Sequence, residues 1–142
     1  MSTIKADNIA TLAGVSTSMA NAVNGSAKAW VNFNGYGASS PFTTANGYIR
    51  AAHNVTSVTD NGVGDYTVNI ASGTFSDGNY AVVATCESES ASSTTRSPQT
   101  LSLLYGVTPS AASVRLTLKI GGFSTAAAVQ VDGTYCYVAF FR

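Results

Sequence analysis

Hydrophobic and polar residues alternate along most of this sequence, in short segments separated by turns rich in Gly, Asn and Asp. A period of two is typical of β-strands, because successive side chains of a strand point to opposite faces of its sheet. The first such segment places Ala29, Val31 and Phe33 on one face and Trp30 on the other. The pattern predicts an all-β domain over residues 26–142.

About seven strands and no long helix are predicted. The clearest hairpin turns at residues 60–64 and leads into the alternating segment 65–71, while residues 48–60 are expected to form one extended stretch. Alternation over residues 113–120 predicts one face exposed to water. Residues 134–142 are apolar on both faces and should form a central strand. Together these elements predict a small antiparallel β-sandwich or barrel.

Residues 1–25 differ from the rest because they lack aromatic side chains and are dominated by small residues. Such a segment cannot form a core alone, so we expect an extended or briefly helical arm that becomes ordered by packing on a partner. The large apolar side chains that would anchor this arm are Ile4, Ile9, Leu12 and Val15.

The composition favours burial against other subunits over electrostatic binding. Seven Lys and Arg balance seven Asp and Glu among 142 residues, so no net charge attracts nucleic acid. Only 10% of residues are charged, against about 25% in typical soluble domains. No stretch reaches the roughly 20 apolar residues that span a bilayer, so no membrane insertion is expected. Several aromatic residues exceed what one small core can hide: Trp30, Tyr36, Phe42, Tyr48, Tyr137 and Phe141.

Candidate catalytic and metal-binding residues are sparse. His53 is the only histidine, so one chain cannot supply a histidine cluster, although a three-fold axis could gather three copies into a metal site. There is no G-x-S-x-G turn. The carboxylates Asp60, Asp65 and Asp77 lie in predicted turns, where aspartate bonds its own backbone. We therefore expect no enzyme activity, no metal and no cofactor.

Cys86 and Cys136 are the only cysteines, and both lie in segments that are predicted to be buried strands. They could be neighbours in one sheet. Two packed thiols and a disulfide both fit this pattern.

Several motifs occur in a fixed order over residues 24–83. They are KAWVNFNG at 28–35, IRA at 49–51, NV at 54–55, DNGVGDYTVN at 60–69 and NYAVV at 79–83. In this order they resemble a pattern of tail-fibre and related virion proteins of tailed bacteriophages. The segments after residue 83 are only generically similar.

The resemblance implies a structural subunit of the virion that is assembled in the bacterial cytoplasm and acts as a homotrimer. It further implies that residues 1–25 bind another virion protein. Few residues precede the domain in this sequence, so we expect a short tail fibre that contributes to host attachment. The alternative is an architectural head fibre, decoration protein or tail adaptor without receptor binding.

Host attachment would use exposed aromatic side chains that stack on sugar rings, with amides and hydroxyls beside them. Two predicted loops, residues 36–48 and 87–99, offer such groups. The candidate contacts for a host surface carbohydrate are Tyr36, Phe42, Arg96 and Gln99.

Overall fold

The structure, a computed structural model, describes residues 8–10, 16–18, 25–38, 40–87, 99–121 and 129–142. Within these ranges the chain forms strands and no helix. The strands are β1 (Asn8–Ala10), β2 (Ser16–Ser18), β3 (Ala27–Phe33), β4 (Ile49–His53), β5 (Val55–Gly62), β6 (Asp65–Ile70), β7 (Ala81–Cys86), β8 (Gln99–Leu103), β9 (Ser113–Ile120), β10 (Val129–Gln130) and β11 (Cys136–Phe141). The predicted all-β class is confirmed.

Two antiparallel sheets make up the domain. Sheet I has the strand order β4-β3-β11-β7. Sheet II has the order β10-β9-β6-β5, and its fifth strand, β8, pairs with β9 along the edge opposite β6. The described strands do not close into a barrel, so the architecture is the sandwich of the two predicted alternatives. The last strand, β11, lies between β3 and β7 as its two apolar faces predicted.

The core lies between the inner faces of the two sheets. Sheet I contributes Val31 and Phe33, and sheet II contributes Tyr66 and Leu116, all nearly inaccessible to solvent. The Phe33 and Tyr66 rings meet edge to face with their centroids 5.2 Å apart, which joins the two sheets directly. Burial of each such side chain stabilises the fold by about 1.5–3 kcal/mol.

The stretch predicted over residues 48–60 is two strands in different sheets. Asn54 separates β4 from β5 and has a φ of 52°, a left-handed conformation that asparagine tolerates better than most residues. Its side-chain amide donates a hydrogen bond to the Lys28 carbonyl oxygen at 2.8 Å, and its own carbonyl oxygen accepts one from Ala71. The prediction of one continuous stretch was wrong because a single residue redirects the chain.

The predicted β5–β6 hairpin is confirmed, with Tyr66, Val68 and Ile70 facing the core. Asp60 closes the turn by accepting a hydrogen bond from the Gly62 amide at 2.9 Å. Gly64, at a φ of 63°, sits where a Cβ would collide with backbone carbonyl oxygens of neighbouring segments. Only glycine fits this position without strain.

Strand β9 departs from the alternation predicted for it. Val114, Leu116 and Leu118 face the core as expected, but Thr117, on the other face, is also buried with 4% exposure. Thr117 lies between Asp65 of β6 and Ser102 of β8, and the Gln130 side chain of β10 donates a hydrogen bond to its hydroxyl at 3.2 Å. The face of this strand that was predicted to be exposed to water is therefore only partly exposed.

The described parts of the N-terminal arm are extended. Strands β1 and β2 pair antiparallel, with Ile9 opposite Thr17. Three of the predicted anchoring residues, Ile4, Leu12 and Val15, lie outside the described residues.

Candidate binding surfaces

The four predicted receptor contacts do not come together as one exposed group. Tyr36 lies in the loop after β3, is 62% exposed, and fits the prediction of an accessible aromatic ring. Phe42 is fully buried. Its backbone pairs with Val58 of β5, and its ring packs against Phe33 and Tyr48. The prediction that Phe42 is an exposed contact was wrong, because the loop folds inward and uses this ring to close the end of the core.

Gln99 is not a loop residue either. It begins β8, opposite Ile120 of β9, and its side-chain oxygen is buried without a hydrogen-bond partner among the described residues. Strand pairing thus holds it half-buried instead of presenting it to a receptor. Arg96, within residues 88–98, lies outside the described residues.

The segments that hold the predicted loops nevertheless converge at one end of the sandwich. The Gly35 amide donates to the Gly133 carbonyl oxygen at 2.8 Å, which joins the loop after β3 to the segment before β11. The Glu87 carboxylate, directly after β7, accepts hydrogen bonds from the Thr134 and Tyr135 amides at 2.7 and 3.2 Å. We call the region formed by Gly35, Glu87, Gly133, Thr134 and Tyr135 the loop end.

A partly buried hydrogen bond joins the loop end to sheet II. The Tyr66 hydroxyl donates to the Asp132 carboxylate at 2.6 Å, and the same carboxylate oxygen accepts from the Gly64 amide at 2.8 Å. Burial, reinforced by the bond to Asp132, raises the pKa of Tyr66. The phenol therefore stays protonated and acts as a permanent donor.

The outer face of sheet I carries large apolar side chains that no other described residue buries. Trp30 of β3, Val83 of β7, Tyr137 of β11 and Tyr135 just before β11 are 38–59% exposed. We call the surface formed by these four residues the aromatic face. They project outward because the alternate positions of the same strands are occupied by core residues.

A groove of about 340 Å³ runs across the aromatic face. Its lining contains no residue that is charged at neutral pH, and its polar side-chain groups are those of Asn32, Thr85, the Tyr137 hydroxyl and the Trp30 indole N–H. The lining residues are Trp30, Val31, Asn32, Ala51, Val83, Thr85, Tyr137, Val138 and Ala139. An uncharged, mainly apolar groove suits a partner that brings apolar surface of its own.

Arg50 extends the aromatic face toward the loop end. Its guanidinium carbon lies 4.2 Å from the centroid of the Tyr135 ring, a cation–π contact, and one of its nitrogens donates to the Asn32 side-chain oxygen at 3.4 Å. The Tyr135 and Tyr137 rings are nearly parallel, 12° apart, with centroids separated by 6.4 Å. These contacts connect the Arg50 guanidinium to the Tyr135 ring and the Tyr135 ring to the Tyr137 ring.

Two ion pairs of the described residues lie away from the aromatic face. Asp65 forms a two-pronged ion pair with Arg115 at 2.7–2.8 Å, and that hydrogen bonding lowers the pKa of the Asp65 carboxyl. Asp77 pairs in the same way with Arg142 and accepts from the Asn79 amide. Asp60 and Asp77 thus bond local backbone as predicted, whereas Asp65 instead pairs with an arginine of the neighbouring strand.

His53 is exposed at the end of β4, where its Nε2 lies 3.2 Å from the Asn54 side-chain nitrogen. The part of the chain that the structure describes contains no group of three His, Cys, Asp or Glu side chains arranged to hold a metal ion. It also contains no helix of the length and hydrophobicity needed to cross a membrane.

The sequence pointed to part of the aromatic face. Trp30 and Tyr137 were among the aromatic residues predicted to exceed the capacity of one core. Val83, Tyr135 and Arg50 were missed. The signal for Tyr135 is present, since it precedes Tyr137 by two positions and so shares its face.

No protein-family model, curated protein or solved structure matches this chain. The fold and its surfaces therefore define the class of the protein on their own: an antiparallel β-sandwich with an uncovered aromatic sheet face and a loop end beside it.

Proposed function

We propose that this chain is a structural subunit of a bacteriophage virion, a short fibre-like protein that works as a homotrimer. The observation that carries the proposal is the aromatic face, which leaves a tryptophan, two tyrosines and a valine uncovered on one sheet. The assignment to a bacteriophage virion is supported by the motifs over residues 24–83, whose order resembles that in tail-fibre proteins.

Identical copies are the partner that this surface fits best. Three copies around a three-fold axis can turn sheet I inward, so that each aromatic face packs against its neighbours. The chain carries few charges and the groove lining carries none, so packing over the groove itself buries no unpaired charge. The same packing shields apolar surface that would otherwise promote aggregation.

Electron microscopy of the intact phage particle tests this proposal. The expected result is density for three copies of the sandwich at the tail or the capsid surface, with the aromatic faces toward the three-fold axis. A particle that lacks the chain, or that holds it as separate single copies, would overturn the proposal.

Host attachment is a second role that the loop end favours, because the exposed Tyr36 follows Gly35, and the bonds of Gly35 to Gly133 and of Glu87 to Tyr135 place both neighbouring segments at this end. Adsorption of the purified protein to host cells tests it. Tyr36→Ala should reduce adsorption several-fold, whereas Tyr105→Ala, which removes a fully exposed ring from another loop, should not. Equal adsorption by both variants would exclude Tyr36 as a contact, and no adsorption by the intact wild-type protein would favour the purely architectural role.

A further inference from the structure

Cys86 and Cys136 face each other across the β7–β11 ladder, and both are free thiols. The next pair along the ladder is hydrogen-bonded, since the Glu87 amide donates to the Tyr135 carbonyl oxygen at 3.0 Å. Hydrogen-bonded and non-hydrogen-bonded pairs alternate in an antiparallel ladder. The two cysteines therefore occupy a non-hydrogen-bonded pair, in which the Cα atoms are about 4.5 Å apart.

The two side chains also point the same way. Residues directly opposite each other in a ladder project to one face of the sheet. Cys136 is fully buried toward the core, and Cys86 is half-buried and packs against the same core. A disulfide requires Cα atoms roughly 4.4–6.8 Å apart, so the backbone already holds the pair within reach of a bond.

We propose that Cys86 and Cys136 form a site of reversible oxidation, at which a small-molecule disulfide converts the two thiols into an intrachain disulfide that ties β7 to β11. The proposal depends on strand register and burial alone, and it does not depend on the viral role.

The reaction proceeds by two exchanges. The Cys86 thiol loses its proton and attacks one sulfur of the reagent, which forms a mixed disulfide and releases one reagent thiol. The Cys136 thiol then loses its proton and attacks the Cys86 sulfur, which forms the intrachain bond and releases the second reagent thiol. The two cysteine sulfurs are oxidised, the two reagent sulfurs are reduced, and the two protons end on the released thiols.

Accessibility sets the order and the rate of these steps. Cys86 reacts first because it is only half-buried and lies on the edge strand of sheet I. Burial raises the pKa of Cys86, and it raises the pKa of Cys136 to about 12. Thiolate is the attacking species, so exchange should be slow at neutral pH and accelerate as the pH rises.

The bond would fasten an edge strand that pairs only with β11 within its sheet. It would close a loop of about fifty residues and so restrict the unfolded chain, which corresponds to a rise in melting temperature of roughly 10 °C. Strand β7 also carries Val83 of the aromatic face, so the same bond would hold one wall of the groove in place.

The test equilibrates the full chain with mixtures of oxidised and reduced glutathione, both from the folded state and by refolding the reduced, unfolded chain. The refolding arm removes any barrier that burial of Cys136 imposes. After alkylation of the remaining thiols, intact-mass and peptide analysis should show a Cys86–Cys136 link in both arms, with a higher melting temperature that a reductant reverses. Cys86→Ser and Cys136→Ala should each abolish that temperature response.

Three results would overturn the proposal. The first is recovery of both cysteines in alkylated form from both arms at every glutathione ratio. The second is oxidation that stops at the mixed disulfide, and the third is oxidation that yields only links between chains.

Discussion

Trp30 and Tyr137 are diagonal neighbours on the outer face of sheet I: Trp30 of β3 pairs with Ala139, and Tyr137 of β11 pairs with Asn32, two positions along. Diagonal side chains on adjacent strands are close enough for large rings to form one surface. Both strands are central in the sheet, so this surface lies at the middle of the face. The proposed trimer depends on this relationship.

The tryptophan emission should report assembly directly. Trp30 is the only tryptophan in the sequence, and it is 38% exposed in the single chain. If the aromatic faces pack together, concentrating the protein should shift its emission to shorter wavelength and reduce quenching by acrylamide severalfold. An emission maximum that is the same in dilute and concentrated folded samples would contradict this expectation.

Phe42 and Tyr36 should differ sharply in their effect on stability, although the sequence predicted the same role for both. Phe42→Ala should lower the free energy of unfolding by about 3–5 kcal/mol, because it leaves a cavity among the Phe33, Tyr48 and Tyr66 rings. Tyr36→Ala should change it by no more than about 0.5 kcal/mol. Urea unfolding of the two variants measures both values, and similar values would place Phe42 outside the core.

The bond from Tyr66 to Asp132 should make stability depend on alkaline pH. The folded pKa of Tyr66 is raised, so the unfolded chain ionises first as the pH passes about 10. The stabilisation that Tyr66 provides is complete below that pH and is lost above it. In that range the free energy of unfolding falls with a slope approaching about 1.4 kcal/mol per pH unit. Tyr66→Phe should flatten this part of the profile and cost about 1–2 kcal/mol at neutral pH, because it removes one of the two donors to Asp132.

Unfolding measured from pH 8 to 11 on wild type and Tyr66→Phe checks this prediction. The other tyrosines and the lysines are common to both proteins, so their titration cancels in the difference between the profiles. Parallel profiles would show that Tyr66 ionises freely in the folded state.

Much of the fold follows from local pattern because period-two alternation directly reports which face of a strand is buried. Strand β3, the β5–β6 hairpin and the central position of β11 could all be predicted in this way. The Cys86–Cys136 pairing was also anticipated as a possibility, since both residues lie in apolar strands. Pairing partners beyond a hairpin depend on contacts distant in sequence, which a periodic pattern does not contain.

The features that were missed share a physical cause: a single residue or a distant contact overrides the local pattern. Asn54 redirects the chain through one left-handed residue, which hydrophobicity does not signal. Phe42 stands in an irregular segment without periodicity, so its burial depends on Val58 and the rings around it. Thr117 is buried in a strand with paired neighbours on both sides, and it accepts a hydrogen bond from Gln130 of another strand.

In the proposed trimer identical copies cover the aromatic face, and a matched pair of charge insertions tests this packing. Val83 and Val63 are almost equally exposed, at 59% and 60%, but only Val83 lies on the aromatic face. Sedimentation equilibrium should give three times the 14.5 kDa chain mass for wild type and Val63→Asp. Val83→Asp should weaken association at least about tenfold, because its carboxylate would be desolvated. A wild-type chain that stays monomeric at all concentrations, or trimers equally stable in both variants, would contradict the account.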